Sequence, residues 1–254
     1  MLSDMLAFPG SGCSVAYGAA GRIGKRCAAA AQSFGAACGR AVTLALALCV
    51  AAPAVAAEPL RLVALGDSLT QGYGLAQGEG LVPQLQAWLQ DQGHDVDVIN
   101  AGVSGDTTAG GLARLDWTLA EPVDAMMVIL GGNDLLRGID PASSRANLDG
   151  ILARLGTEGI PALLVGMPAP GNYGPEYRDA FEAMYPELAE AHGAMLYPDL
   201  LQPMSDKAEA GLSFSDMMQD DHIHPNADGV AVIVDSLGPV VSDFLSGMES
   251  DGGT

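Results

Sequence analysis

Thiols are absent from most of this chain. Its four cysteines all lie within the first 57 residues, at Cys13, Cys27, Cys38 and Cys49. The remainder therefore has no disulfide and no cysteine-based metal site. Aromatic residues are also scarce, at 5% of the chain, whereas 49% of it is hydrophobic. A hydrophobic content that high excludes general disorder and is enough for a sizeable core.

Basic residues are few. The chain has 11 Lys and Arg against 31 Asp and Glu, a formal net charge of −20. Four of the basic residues and one acidic residue fall within the first 57 positions, so residues 58–254 hold 7 against 30, a net charge of −23. Such a surface repels nucleic acid and anionic lipid. The composition therefore argues against both as partners.

The first 57 residues have the layout of a secretory signal. Basic residues come first, a largely apolar run begins at Ala41, and small residues follow at 54–57. Counted to Ala56 the run has about 16 residues, fewer than the roughly 20 that span a membrane. Cleavage near Ala56 or Ala57 is thus favoured over a retained anchor, and a start codon assigned too far upstream would explain the long basic region. We expect a periplasmic or secreted protein with one domain, 58–254, that does not insert stably into membranes.

Beyond the leader, short apolar runs alternate with longer amphipathic ones. This alternation predicts βαβ units, a parallel sheet and the α/β class. Expected strands are Leu60–Leu65, Val96–Asn100, Ala125–Leu130, Ala162–Gly166 and Ala194–Leu196. Expected helices are Leu81–Gln90, Thr108–Ala120, Ser143–Leu155, Glu176–Ala191 and Asn226–Leu245. Right-handed crossovers would make this a three-layer α/β/α domain with a five-stranded parallel sheet, which binds ligands at the carboxyl ends of its strands.

One serine stands where the first strand would present a nucleophile. Residues 65–70 read Leu-Gly-Asp-Ser-Leu-Thr, and a glycine-rich loop follows them. A serine hydroxyl is a poor nucleophile at neutral pH, and it needs an imidazole to take its proton and a carboxylate to hold the ring. The alternative is an ordinary turn in which Asp67 and Ser68 satisfy local backbone groups.

The segment 221–225, Asp-His-Ile-His-Pro, supplies both missing groups. On a short turn, the carboxylate of Asp221 can reach Nδ1 of His224 while Nε2 faces Ser68. His222 is the rival base, but it lies only one residue from Asp221, so its ring would not take the same orientation. Geometry favours His224 as the base and Asp221 as the group that orients it.

Two further loops offer donors for a negatively charged oxygen. Gly102 follows the second expected strand, and its backbone N–H can approach a ligand with no Cβ in the way. Asn133 follows the third strand on a glycine-rich turn. With the N–H of Ser68, these groups would form an oxyanion hole. Taken alone, the Gly102 motif could be a tight βα turn, and Asn133 could be an asparagine that tolerates unusual backbone angles.

A metal site is the competing interpretation of the C-terminal motif, because Asp221, His222 and His224 could all be ligands. Zinc sites recruit three or four side chains with an ordered outer shell, and no further His or Cys is placed nearby. His94 and His192 stand beside glycines at predicted helix ends. The sequence therefore predicts neither a metal nor a cofactor.

Taken in order, these motifs resemble the four blocks of the SGNH (GDSL) hydrolases. The matching elements are Gly66-Asp67-Ser68-Leu69, Gly102, Gly132-Asn133-Asp134 and Asp221-x-x-His224. The resemblance runs from about Arg61 to Leu245, and it is strongest to the acyl-CoA thioesterase I, arylesterase and lysophospholipase subgroup. It implies a flavodoxin-like fold, Ser68 as nucleophile, Asp221 and His224 as its partners, and Gly102 and Asn133 in the oxyanion hole.

By this resemblance the chain is expected to hydrolyse small acyl esters, and also thioesters or lysophospholipids, through an acyl-enzyme. A carbohydrate O-deacetylase with the same triad is one alternative, although the low aromatic content disfavours a sugar-binding cleft. A non-catalytic secreted binding domain is another, which the presence of Ser68, Asp221 and His224 argues against.

Overall fold

A computed structural model describes residues 58–251, with side chains as far as Met248. The expected leader and its cleavage site lie outside the described residues. Five strands form one parallel sheet in the order β2-β1-β3-β4-β5. They are β1 Leu60–Gly66, β2 Val96–Gly102, β3 Ala125–Ile129, β4 Ala162–Val165 and β5 Met195–Tyr197. The predicted parallel five-stranded sheet is therefore confirmed, with strand bounds within two residues of expectation.

Nine α-helices occur between residues 58 and 251. They are α1 Ser68–Gln71, α2 Leu81–Asp91, α3 Thr108–Ala113, α4 Leu115–Thr118, α5 Gly132–Leu136, α6 Pro141–Glu158, α7 Pro175–His192, α8 Gln202–Glu209 and α9 Ala227–Asp251. Short 3₁₀ turns cover Gly171–Tyr173 and Phe214–Met217. Helices α2 and α9 pack together on one face of the sheet, and α3, α6 and α7 pack on the other. This is the predicted three-layer α/β/α arrangement.

The expected helix Thr108–Ala120 is in fact two short helices, α3 and α4. They meet at Arg114, whose backbone leaves the helical region at φ −103° and ψ 4°. Gly110 and Gly111 weaken the first of them, because glycine is among the poorest helix formers. The helices α1, α5 and α8 were not predicted, since each is too short to show a clear periodicity.

The sheet is covered on both faces, and its central strand β3 is completely buried. Helix α9 is long and apolar enough to cross a membrane by composition, yet half of that stretch is buried inside the protein. Its Leu237 and Val241 are fully enclosed, and Gly238 lies directly against Trp88 of α2. A hydrophobic helix that covers a sheet accounts for this composition.

The chain reverses its direction across the sheet between β1 and β3. From β1 it runs outward to β2, and then it returns past β1 to β3. At such a switch point the loops that follow the two neighbouring strands separate and leave a crevice. Ser68 follows β1 and Asn133 follows β3, so the topology itself opens the crevice beside these two residues.

We expect Tyr185→Phe to destabilise the fold by about 1–2 kcal/mol, because it removes a buried hydrogen bond and little volume. The Tyr185 hydroxyl donates to the carbonyl of Leu130 at 3.0 Å, and burial raises the pKa of this phenol, which keeps it neutral. Urea unfolding measures the loss. Tyr173→Phe, at a half-exposed ring, is the matched control and should change little. Equal stability of the two variants would contradict a stabilising role for the hydrogen bond from Tyr185 to Leu130.

Candidate active site

The candidate nucleophile Ser68 is the first residue of α1, directly beyond the end of β1. The carboxylate of Asp67 begins this helix by accepting the N–H of Leu69 at 3.0 Å. Gly66 is required just before it, because a Cβ there would lie 1.9 Å from Oγ1 of Thr70. The tight strand-to-helix turn thus follows from the local sequence, and it leaves the Ser68 side chain at the carboxyl edge of the sheet.

Ser68, His224 and Asp221 form a continuous chain of hydrogen bonds. Nε2 of His224 lies 2.8 Å from Oγ of Ser68, and its Nδ1 lies 2.7 Å from Oδ2 of Asp221. The structure thus brings together the three residues that the sequence singled out. His222, the rival base, has a left-handed backbone with φ 56°, and it is His224 that contacts the serine.

The short turn 221–224 is held by its own carboxylate. Oδ1 of Asp221 accepts the N–H of Ile223 at 2.9 Å and the N–H of His224 at 3.0 Å. The backbone N–H of His224, its Nδ1–H and the N–H of Ile223 together hold the pKa of Asp221 well below its usual range. The carboxylate therefore stays ionised, as a group that orients an imidazole must.

Gln219 connects the loop after Ser68 to this turn, and the sequence analysis did not identify it. Its Nε2 donates to the carbonyl of Tyr73 at 2.8 Å and to that of Pro225 at 2.9 Å. Its backbone N–H donates to the carbonyl of His224 at 2.8 Å. One amide thus links the loop after Ser68 to the histidine. The sequence held no signal for these contacts, because Tyr73 and Gln219 are 146 residues apart.

Asn133 sits on α5, beyond the end of β3. Its Nδ2 donates to Oδ2 of Asp67 at 3.1 Å, which leaves the second amide hydrogen available. Asp67 is 2% exposed, and burial raises its pKa against the opposing hydrogen bonds from Leu69 and Asn133. Gly131 precedes the helix at φ 125°, where a Cβ would meet the hydroxyl of Tyr185 at 2.2 Å. The buried carboxylate therefore fixes the orientation of the asparagine amide.

The geometry does not support the expected role of Gly102. Its N–H is already donated to Oδ1 of Asn100 at 2.9 Å. A Cβ on Gly102 would lie 2.3 Å from the backbone nitrogen of Gln71, so this glycine packs beneath α1. The absence of a side chain serves packing there, rather than access for a ligand.

Gly105, three residues beyond Gly102, is the glycine of this loop that lines the cleft. It lines the same cleft as Ser68 and Asn133, and its φ of 84° suits glycine. Its carbonyl accepts Nη2 of Arg137 at 2.7 Å, while its N–H has no acceptor among the described residues. The sequence does show a glycine at 105, in the run Val-Ser-Gly-Asp that follows Gly102. The spacing of these residues does not predict the turn that places Gly105 in the cleft.

The cleft beside Ser68 has a volume of about 270 Å³. Its polar lining includes Ser68, Asn133 and His224. The rest is formed largely by apolar side chains, namely Leu69, Leu135, Leu136, Met167, Pro168, Leu201 and Ile223. A site of this kind accepts an apolar chain next to a reactive polar group. Within residues 58–248, no group of three His, Cys, Asp or Glu is arranged to hold a metal ion.

Comparison with known proteins gives a consistent set of matches. Residues 64–232 match the GDSL-like Lipase/Acylhydrolase family. The Esterase TesA of Pseudomonas aeruginosa is 39% identical over 201 residues, which cover 79% of this chain and 96% of that protein. The Thioesterase 1/protease 1/lysophospholipase L1 of Escherichia coli K12 is 36% identical over 175 residues, covering 68% of this chain and 79% of that protein.

Solved structures agree with these matches. The crystal structure of AlinE4, an SGNH-hydrolase family esterase, is 44% identical with a TM-score of 0.60, and the match covers 74% of this chain and 97% of that one. A crystal structure of TesA is 38% identical with a TM-score of 0.65, covering 72% of this chain and 99% of that one.

Titration should reveal the environment of Asp221. We expect its carboxyl ¹³C resonance to show an ionised group throughout the range near ~3.9 in which ordinary aspartates titrate. His224→Ala should raise the pKa of the Asp221 carboxyl, because it removes the Nδ1 donor, although the two backbone donors remain. Carboxyl-detected NMR measures both. An inflection at the usual aspartate value in the unaltered protein would contradict the hydrogen-bonded geometry.

Proposed function

This chain belongs to the GDSL-like lipase/acylhydrolase family and is an acyl ester hydrolase of the SGNH type, and we propose that Ser68, His224 and Asp221 are its catalytic relay. The observation that carries the assignment is the 2.8 Å contact between Nε2 of His224 and Oγ of Ser68. A serine at this distance from an imidazole can lose its proton as it attacks a carbonyl.

In the first step, Oγ of Ser68 forms a bond to the acyl carbon, and its proton moves to Nε2 of His224. Asp221 accepts Nδ1–H, which fixes the tautomer with a free Nε2 and stabilises the imidazolium that forms. The same proton then passes to the departing alcohol oxygen as the ester bond breaks. The products of this half-reaction are the free alcohol and an acyl ester on Ser68.

In the second step, water replaces the alcohol. His224 takes a proton from the water as the water oxygen bonds to the acyl carbon. It then returns that proton to Oγ of Ser68 as the acyl ester breaks. The carboxylic acid leaves, and the enzyme is restored. The first step uses only Ser68, His224 and Asp221, and the second adds one water molecule.

Both tetrahedral intermediates carry a negative oxygen that needs donors. We assign the N–H of Ser68, the N–H of Gly105 and the side-chain amide of Asn133 to this oxyanion hole. Gly105 replaces Gly102 because only the former has an N–H without an acceptor among the described residues. Nη2 of Arg137 donates to the Gly105 carbonyl, which restrains the backbone on the carboxyl side of this glycine.

Further observations extend this proposal to the substrates and the location of the protein. Relatives named arylesterase and thioesterase 1/lysophospholipase L1 support activity on aryl esters, thioesters and lysophospholipids. The layout of the first 57 residues supports export to the periplasm or beyond as a domain spanning 58–254. The apolar walls of the cleft favour acyl chains over the sugar of an O-deacetylase substrate. The intact Ser68–His224 contact weighs against a binding domain without activity.

Ser68→Ala and His224→Ala should each lower kcat for p-nitrophenyl butyrate by at least about 10³-fold, because each removes a group that makes or breaks the acyl bond. His222→Gly is the matched control on the same turn, and it should keep turnover close to the parent value because glycine accepts φ 56°. Labelling by a fluorophosphonate should require Ser68. Undiminished hydrolysis by the Ser68 variant would end the assignment.

Asn133→Ala should lower kcat by about 10²–10³-fold with little change in KM, since an oxyanion donor acts mainly in the transition state. Steady-state kinetics on the same ester measures the split. Asn147→Ala is a suitable control, because Asn147 also donates an amide, here to Oγ1 of Thr108. A rise in KM alone for the Asn133 variant would indicate a binding role and contradict the oxyanion assignment.

A further inference from the structure

The distribution of charge around the cleft leads to a further inference, which rests on the proposed function. We propose that this enzyme selects acyl donors by the charge of their leaving group. Among otherwise similar substrates, those with an uncharged or cationic leaving group are favoured over those with an anionic one. The selection arises from the field of the whole acidic protein at the cleft rather than from a dedicated binding site.

Cations are almost absent from the surroundings of the cleft. Residues 58–254 contain seven basic residues against 30 acidic ones: Arg61, Arg114, Arg137, Arg145, Arg154, Arg178 and Lys207. Four of them are paired with carboxylates: Arg114 with Asp106, Arg145 with Glu187, Arg154 with Asp116 and Glu158, and Arg178 with Asp179. Their charges are thus largely offset locally.

Of the other three, Arg61 lies near the amino-terminal end of β1, at the edge of the sheet opposite the cleft. Lys207 lies on α8 next to Asp206, and it does not line the cleft. Arg137 alone is bonded to the cleft wall, through the Gly105 carbonyl. The carbonyl does not neutralise this guanidinium, so one cation at the cleft wall stands against the carboxylates of Asp220 and Asp221 beside His224.

Carboxylates, by contrast, are concentrated next to the histidine. A second groove opens beside His224, lined by Tyr73, Gly74, Met218, Gln219, Asp220, Asp221 and Asn226. Asp220 is exposed, and the low pKa of Asp221 keeps its charge negative. The ring of Tyr73 is 50% exposed and lies 4.8 Å from that of His224. Carboxylates and an open aromatic face attract cations and repel anions.

The reach of this field depends on salt. The Debye length is about 30 Å at ~0.01 M ionic strength and about 3 Å at ~1 M. At low salt, therefore, carboxylates across much of the protein act on a charged substrate, and at high salt almost none do. Fields of this kind change encounter rates by about 10- to 10³-fold, so a measurable selection is expected.

The test uses three aryl butyrates that differ in one para substituent: sulfonate, sulfonamide and trimethylammonium. All three substituents withdraw electrons, so the leaving phenols differ mainly in charge. At low ionic strength we expect kcat/KM to rise from the sulfonate to the ammonium ester by about 10-fold. At ~1 M NaCl the difference should shrink to within about 2-fold. Equal rates at low salt, or an order that persists unchanged at high salt, would overturn the proposal.

Two variants locate the effect. Asp220→Lys reverses one charge beside His224, and Asp95→Lys makes the same change at the start of β2, on the opposite edge of the sheet. Both aspartates are exposed. Asp220→Lys should raise kcat/KM for the sulfonate ester about 3- to 5-fold at low salt and leave the sulfonamide ester nearly unchanged. Asp95→Lys should have a smaller effect. Equal effects of the two variants would contradict a field that acts at the cleft.

Turnover of the uncharged sulfonamide ester distinguishes a failure of the ester hydrolase mechanism from a failure of the charge selectivity. If wild-type protein fails to hydrolyse it, the proposed ester hydrolase mechanism fails. If it is hydrolysed without discrimination by charge, only the selectivity is wrong.

Discussion

The contact between Ser68 and His224 is the interaction on which the rest of the site depends. It joins residues that are 156 positions apart, one at the end of the first strand and the other on a turn just before the last helix. Parallel strands bring the first to the carboxyl edge of the sheet, and α9 packed against α2 brings the second to the same place. The sheet therefore stabilises the fold and also aligns the hydroxyl of Ser68 with the imidazole of His224.

Carboxylates play three distinct roles around this contact. Asp221 is ionised, holds its own turn through two backbone N–H groups and orients His224. Asp67 is buried beside the nucleophile and fixes the amide of Asn133. Asp134 is fully buried and accepts hydrogen bonds from Thr108 and Ser144, which joins the start of α3 to α5 and α6. Similar side chains thus differ in function because they differ in partners and burial.

The acidic character of the chain has a different kind of effect. It does not determine the fold, because the core is built from apolar strands and helix faces. It acts at long range on whatever approaches the cleft, and it does so in proportion to the charge of that molecule. Different parts of the protein thus select a substrate by shape and by charge. The apolar walls of the cleft select its shape, and the carboxylates at the surface select its charge.

The sequence by itself determined the architecture and singled out most of the residues that meet at the site. Apolar runs of strand length marked all five strands, because buried parallel strands are apolar on both faces. Ser68, Asn133, Asp221 and His224 were identifiable because each stands in a short motif whose residue types match a chemical need. Only the tertiary structure shows that the Gly102 N–H is bonded to Asn100, whereas the Gly105 N–H has no acceptor among the described residues, because the direction of these backbone groups depends on how the loop packs against α1. It also showed that Gln219 joins two loops, because its partner Tyr73 lies 146 residues away, a distance across which no local pattern carries information.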